Sequence, residues 1–236
     1  MDLVRYYDDY WRRVGDTCDT VRLQLILGYV DAGADALEVD CGAGVFAGMM
    51  LAKGVRVQAT EMSPVAAEMA RQKGVSVTLI DLDAETLPFQ DGSFSIVVSN
   101  SAIEHRFFHE RQLEECIRVL RPGGKLVLSL PNIAHWRCRL WLLAGRFPYL
   151  RNTPTDVSHL RFFTLAEAKA LCRQRGVEPV ATDGNASLWV RGFYPGIFRR
   201  RPVSDLYTWL AHRWPSMFAR DFLIVGRKAL AQEKTA

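Results

Sequence analysis

The sequence predicts an α/β fold, a doubly wound, mostly parallel seven-stranded sheet with helices on both faces. Three observations carry this. Short apolar runs alternate with helix-like segments from residue 36 to residue 130, the pattern of successive strand-helix-strand units. Phe94 to Ser99, FSIVVS, is nearly continuously apolar, as suits a strand buried on both faces. Ala36 to Phe46, ALEVDCGAGVF, passes from an apolar run carrying one carboxylate through a small-residue turn to a helix start, where free N–H groups and the positive end of the helix dipole gather.

The elements follow in order. Residues 3 to 14 place Tyr6, Tyr7, Tyr10, Trp11 and Val14 on one side of a helix, which can either cover a pocket or dock on the body. Ala36 to Val39 is the first strand and Val55 to Thr60 the second, ending at Glu61. Ser63 is an N-cap with Pro64 at the first helical position, and Gly74 closes that helix. Val75 to Ile80 and Phe94 to Ser99 are strands three and four. Leu113, Cys116, Ile117 and Leu120 mark a helix stopped by Pro122, Gly123 and Gly124, and Lys125 to Leu130 is strand five. Thr164 and Glu167 form a capping box for a helix ending at Gly176. Val180 to Asp183 and Phe222 to Arg227 are strands six and seven, and Ala231 to Ala236 reads as a frayed tail. Right-handed crossovers set the ends of the first four strands along one edge, where ligands bind in such sheets.

A chain of 236 residues is read as one domain, 1–236, with an N-terminal helical lid over about residues 1–30 and insertions at 131–163 and 185–220. Loops of that length in a compact domain are usually functional, so they are assigned to the substrate side. No apolar run approaches the roughly 20 residues of a membrane span, and MDLVRYYDDYWRR lacks a signal-peptide core, which points to the cytoplasm. Five scattered cysteines without a CxxC pair argue against a disulfide framework and a zinc site, and no metal ligands are assigned. A net charge of +4 with dispersed basic residues gives no reason to expect a nucleic-acid partner.

The strand ends together resemble class I S-adenosylmethionine-dependent methyltransferases, of the methyltransferase type 11 and MetW-like group. The likeness rests on LEVDCGAG, QATEMSP, DAETLPFQDGSFSIVVSNSAIEH and RVLRPGGKLVLSLPN, in order between residues 36 and 132. It implies a Rossmann-like methyltransferase fold and S-adenosyl-L-methionine as cofactor. Gly42 and Gly44 would let backbone approach the ligand, Glu38 would meet the methionine ammonium, and Glu61 the ribose hydroxyls. Asp83 would accept from the adenine amino group, with Met62 and Leu82 near the ring and Asn100 and Asp40 also on the cofactor. Asp40 stands where the family pattern has glycine, a carboxylate that either pairs with the cofactor's positive charge or repels its carboxylate. Ser95 stands where the family often has Asp and is read as structural.

Methyl transfer is an in-line displacement, and an oxygen nucleophile usually needs a base, so His105 and His159 are the catalytic candidates. Packing against the cofactor is the competing role for His105. DVSHLRFFT and the preceding PNIAHWRCRLWLLAGRFPYL resemble polysaccharide-biosynthesis methyltransferases, which implies a small-molecule or glycan acceptor, with Arg161 and Tyr10 touching it. Docking of that loop by Leu160, Phe162 and Phe163, with His159 and Arg161 on backbone carbonyls, is the alternative. GFYPGIFRRRPVSDLYTWLAHRWPSMF is either a peripheral membrane patch for a lipid-linked substrate or a dimer contact or cover over the sheet edge, and a monomer or homodimer fits equally. Two rival functions remain: a nicotinamide-dependent oxidoreductase, since Gly42, Gly44 and Ala47 match GxGxxA, and a non-catalytic methyltransferase-like partner protein, which Asp40 favours.

Overall fold

In the computed structural model, residues 3–190 and 192–230 are described, and the expected frayed tail at Ala231 to Ala236 lies outside the described residues. The chain runs α1 (Leu3–Val14), α2 (Thr20–Leu27), β1 (Asp35–Val39), α3 (Val45–Ala52), β2 (Arg56–Glu61), α4 (Pro64–Arg71), β3 (Ser76–Leu79) and β4 (Phe94–Asn100). It continues through α5 (His109–Val119), β5 (Leu120–Pro131), α6 (Trp136–Leu143), α7 (Leu165–Gln174), β6 (Val177–Asn185), α8 (Val203–Arg213), α9 (Pro215–Phe218) and β7 (Asp221–Lys228). Single 3-10 turns occupy Ile103–His105 and Gly196–Arg199.

The seven strands form one sheet in the order β3-β2-β1-β4-β5-β7-β6, with β7 antiparallel to both its neighbours and the other pairs parallel. The predicted seven-stranded, mostly parallel sheet is therefore the observed one. Strand alternation feeds two cores. Leu37, Val39, Val97, Leu126 and Leu128 pack beneath α5 and α7, while Ala36, Ile96, Val98 and Val127 face α2, α3 and α4. The order reverses between β1 and β4, and the crevice beyond their carboxyl ends is the open place in such a sheet.

Local signals act as predicted where chemistry fixes them. Ser63 Oγ accepts from the Ala66 N–H with Pro64 following, and Thr164 and Glu167 close their capping box. Ser95 Oγ accepts from the Asp35 N–H and donates to the Asp35 carbonyl, the structural role expected of it. All five cysteines are free.

Two strand starts differ by several residues. Leu120, assigned to the helix by its spacing, pairs with Phe94 and begins β5, so the Pro122 to Gly124 turn is an irregularity inside the strand. Cross-strand pairing takes the residue that helical periodicity also claims. β6 begins at Val177 because Val177 and Glu178 pair with Lys228 and Arg227.

The stretches read as insertions are folded. Residues 131–163 contain α6 and residues 185–220 contain α8 and α9. Cys138, Ala186, Phe193, Tyr194, Tyr207 and Ala211 share a third buried cluster that joins the two stretches beside β6. Trp209, Trp214 and Leu206 remain exposed on its outer side. No helix among the described residues is long and apolar enough to cross a membrane.

Candidate active site

A cavity of about 590 Å³ opens at the carboxyl ends of β1, β2 and β4. Its walls are the aromatic face of α1, the loop after β1, the 3-10 turn after β4, residues 151–159 and the start of β7. Its size falls in the range of about 300–1,000 Å³ typical of small-molecule sites.

The loop after β1 makes the floor. Asp40 adopts a φ of 55°, a left-handed conformation that Asp tolerates better than most residues. Its carboxylate is gripped on both oxygens: Arg106 Nη2 lies 2.5 Å from Oδ1, Arg106 Nε 3.2 Å from Oδ2, and Gln112 Nε2 2.7 Å from Oδ2. Arg106 also reaches Asp81 at 3.1 Å and Asp83 at 3.8 Å, and it is buried. Its bidentate fork thus gathers three aspartates that would repel one another in its absence. A Cβ on Gly42 would lie 2.4 Å from the Trp11 ring, so α1 rests directly on the glycine loop. A Cβ on Gly44 would meet Ala70 at 2.4 Å, so Gly44 serves the packing of α3 on α4 and does not line the cavity.

The acidic strand ends differ in what they have left to offer. Glu38 is buried, lines the cavity and keeps Oε2 without a partner. Desolvation pushes it up to about 8, opposed by the Ala47 N–H and reinforced by Glu61. Glu61 accepts from the N–H groups of Gly42, Met62 and Ser63 at 2.8–3.0 Å. Burial, followed by the charge of Asp40, pushes it up to about 7. Asp83 accepts from the Phe108 N–H at 3.1 Å and lines the cavity, as do Met62 and Asn100, whose Oδ1 has no partner. Leu82 does not line it: it sits in the turn after β3, with its side chain buried in the core with Leu87 and Phe94.

At the far end, His105 and Glu104 from the 3-10 turn meet His159 from the loop above. Backbone bonds fix that meeting, since the N–H groups of Leu160 and Arg161 donate to the Glu104 carbonyl at 2.8 and 3.0 Å. The His105 and His159 rings stand 5.0 Å apart, edge to face. Burial lowers His105 to about 4, helped by His159, and burial also lowers His159. Both are therefore neutral near pH 7. Tyr7 packs edge-on against His105, and Tyr10 lines the same cavity. Arg161 points away, with Nη2 donating to the Phe107 carbonyl at 2.8 Å. Phe163 docks the loop in the core while Leu160 and Phe162 stay partly exposed.

Arg106, Gln112 and Asp81 are site residues that the sequence reading misses, whereas Trp11 belongs to the helix face it offers as a possible pocket cover. Asp40 was the available signal, because a carboxylate in a glycine loop calls for a cation. Nothing in the spacing says that it comes from the residue after His105. Asp8 holds α1 down, accepting from Ser63 Oγ and the Val65 N–H at the start of α4.

Comparison with known proteins adds a family to this geometry. A family model described as methionine biosynthesis protein MetW matches residues 21–188. The ubiquinone biosynthesis O-methyltransferase of Xanthomonas axonopodis is 31% identical over 169 residues, covering 67% of this chain and 69% of that protein. A Mycolicibacterium smegmatis protein named "Probable S-adenosylmethionine-dependent methyltransferase" is 31% identical over 65% of this chain and 55% of its own length. The chain spans about half the length of the mycobacterial relatives it matches. Among solved structures, a SAM-dependent methyltransferase of Thermotoga maritima aligns with a TM-score of 0.66 at 20% identity, over 96% of this chain and 98% of that one. A Burkholderia thailandensis 1,6-didemethyltoxoflavin-N1-methyltransferase, solved with its namesake ligand and S-adenosylhomocysteine, aligns at 0.60 and 17%, over 97% and 86%. These structural likenesses show the shared fold.

Proposed function

Because the chain belongs to the MetW family, with residues 21–188 matched, we propose that it binds S-adenosylmethionine in this cavity and transfers the methyl group to an oxygen of a small-molecule or glycan-type acceptor. The observation that carries the reading is Glu38, a buried carboxyl that lines the cavity at the end of β1 and keeps one oxygen without a partner. Such a group calls for a cationic ligand, and the ammonium of a methionine moiety is one. Asn100 Oδ1, equally unpartnered, supplies a second acceptor nearby on β4. Glu61 spends three acceptor positions on backbone N–H groups and keeps capacity for ribose hydroxyls. The cofactor, when bound, supplies a methyl group on a sulfonium. The chain's part is to orient that group, exclude water with α1 and receive the acceptor at the Glu104, His105 and His159 end. The O-methyltransferase name of the Xanthomonas relative supports the oxygen acceptor, and the DVSHLRFFT loop supports the glycan class. Acting whole, the chain is read as one domain with α1 as a lid.

Titration calorimetry and thermal shift test the reading. S-adenosylhomocysteine should bind and stabilise the chain, Glu38→Ala should weaken binding at least tenfold, and NADH should leave the chain unshifted. Stabilisation by NADH alone would replace this reading with an oxidoreductase.

A second reading, a non-catalytic partner protein, is favoured by one specific contact: Trp11 rests on Gly42, where a cofactor's approach to the loop would take place. If S-adenosylhomocysteine binds neither the natural chain nor Trp11→Ala, and binds Asp40→Gly, the site is degenerate and the partner reading stands.

A further inference from the structure

We propose that Glu104, His105 and His159 form a binding site for a divalent first-row transition-metal ion at the acceptor end of the cavity. The hydrogen bonds settle the tautomers. His105 Nδ1 lies 3.0 Å from the Ser158 carbonyl and His159 Nδ1 lies 3.2 Å from the Pro154 carbonyl. A carbonyl only accepts, so both rings carry their proton on Nδ1, and as neutral imidazoles both expose a bare lone pair at Nε2. This is the arrangement by which metal-bound histidines are held, with the remote N–H anchored to a backbone carbonyl.

The third group points to a ligand independently. Glu104 is fully buried, 0% exposed, and neither carboxylate oxygen has a hydrogen-bond partner. Its approach to His105 Nε2, 3.9 Å, is too long for a hydrogen bond. Arg22, whose charge reaches it, donates instead to Ser101 Oγ at 2.5 Å. Two imidazole lone pairs therefore lie beside a buried carboxyl whose oxygens have no hydrogen-bond partner; burial favours a proton on that carboxyl, and a cation bound by the three groups would displace it.

One donor atom from each residue lies within 4.8 Å of the others. Metal–ligand bonds of about 2.0–2.2 Å draw such donors together by roughly an ångström. Two nitrogens and one carboxylate oxygen suit zinc, cobalt, manganese or iron and leave positions open toward the cavity. There the ion would take a hydroxyl of the acceptor and lower its pKa. That use rests on the methyl-transfer reading, whereas the site itself does not. It also answers a difficulty of that reading, since His105, lowered by burial to about 4, is a weak base on its own.

Cobalt(II) titration of the intact chain, followed by visible absorption and proton NMR, tests the site without any methyl transfer. One equivalent should bind, with two exchangeable ring N–H resonances shifted far downfield, from the Nδ1 protons held to Ser158 and Pro154. Glu104→Gln and His159→Ala, each checked for folding by circular dichroism, should weaken binding by at least about tenfold. Absence of the shifted pair in the natural chain overturns the proposal, even if a variant fails to fold. Undiminished binding in both folded variants overturns it as well. Cobalt binding without S-adenosylhomocysteine binding keeps the site and removes the proposed function, and the converse removes the site alone.

Discussion

Arg106 grips Asp40 from the far side of the cavity floor, its guanidinium meeting both carboxylate oxygens, at 2.5 and 3.2 Å. The charge that departs from the family's glycine is therefore neutralised within the protein. Since removing one member of a buried pair leaves the other uncompensated, Arg106→Ala should destabilise the chain by about 3–5 kcal/mol. Asp40→Gly should cost less, because Arg106 keeps Asp81 and Asp83 and glycine relaxes the left-handed φ. Urea denaturation of the single and double variants checks the order; a milder loss for Arg106→Ala than for Asp40→Gly would contradict it.

The same pair shows where sequence reading succeeds and where it stops. Strand ends and caps are local: Glu38, Glu61 and Ser63 could be placed because a few neighbouring residues determine them. The partners of Asp40 come from residues 66 and 72 positions further along the chain, and only the β1–β4 juxtaposition brings them home. His159 meets Glu104 across a comparable gap, through two backbone bonds that no side-chain pattern encodes. Gly44 and Leu82 lie off the cavity wall for a related reason, since a motif gives the order of residues but not which way a side chain turns once α4 and the core are packed. The third core was hidden because α6 is apolar on most sides and α8 draws its burial from Phe193 and Tyr194, outside any helix.

Trp11 and Gly42 should behave as a coupled pair. A Cβ at Gly42 would fall 2.4 Å from the indole, and the residue's φ of 55° is also unfavourable for alanine. Gly42→Ala should lose about 2–4 kcal/mol, summing overpacking and left-handed strain. In the Trp11→Ala background the overpacking part disappears and roughly half of the loss should return. A double-mutant cycle in urea measures the coupling, and strict additivity would mean that α1 does not rest on the loop.

The third core hinges on Tyr207. His135 Nδ1 accepts from the Arg137 N–H, so its proton lies on Nε2 and points to the Tyr207 hydroxyl at 2.9 Å, which also accepts from Trp136 Nε1 at 2.7 Å. Tyr207→Phe removes that shared acceptor. Trp136 is left without it, while His135 keeps Tyr194 at 3.2 Å. A loss of about 1 kcal/mol follows from leaving a partly buried donor unmet, and faster amide exchange should appear in α6 and α8 ahead of the sheet. Unchanged exchange there would show that this hydroxyl does not hold the two stretches together.

Glu38 gives the site a pH signature. Burial pushes its carboxyl up to about 8, so in the ligand-free chain it is mostly protonated at neutral pH. An ammonium held against it favours the charged form and lowers that pKa, so binding expels a proton wherever the free group still holds one. Affinity for S-adenosylhomocysteine should therefore rise by up to about tenfold per pH unit between pH 6 and 8 and level off above, since one pKa unit corresponds to about 1.4 kcal/mol. Calorimetry at pH 7 in buffers of different ionisation enthalpy should detect release of nearly one proton. Glu38→Gln should bind more weakly, with the pH slope largely removed. A flat affinity between pH 6 and 8 in the natural chain would mean that Glu38 does not meet the ammonium, and the methionine end of the pocket would have to be sought at Asn100 instead.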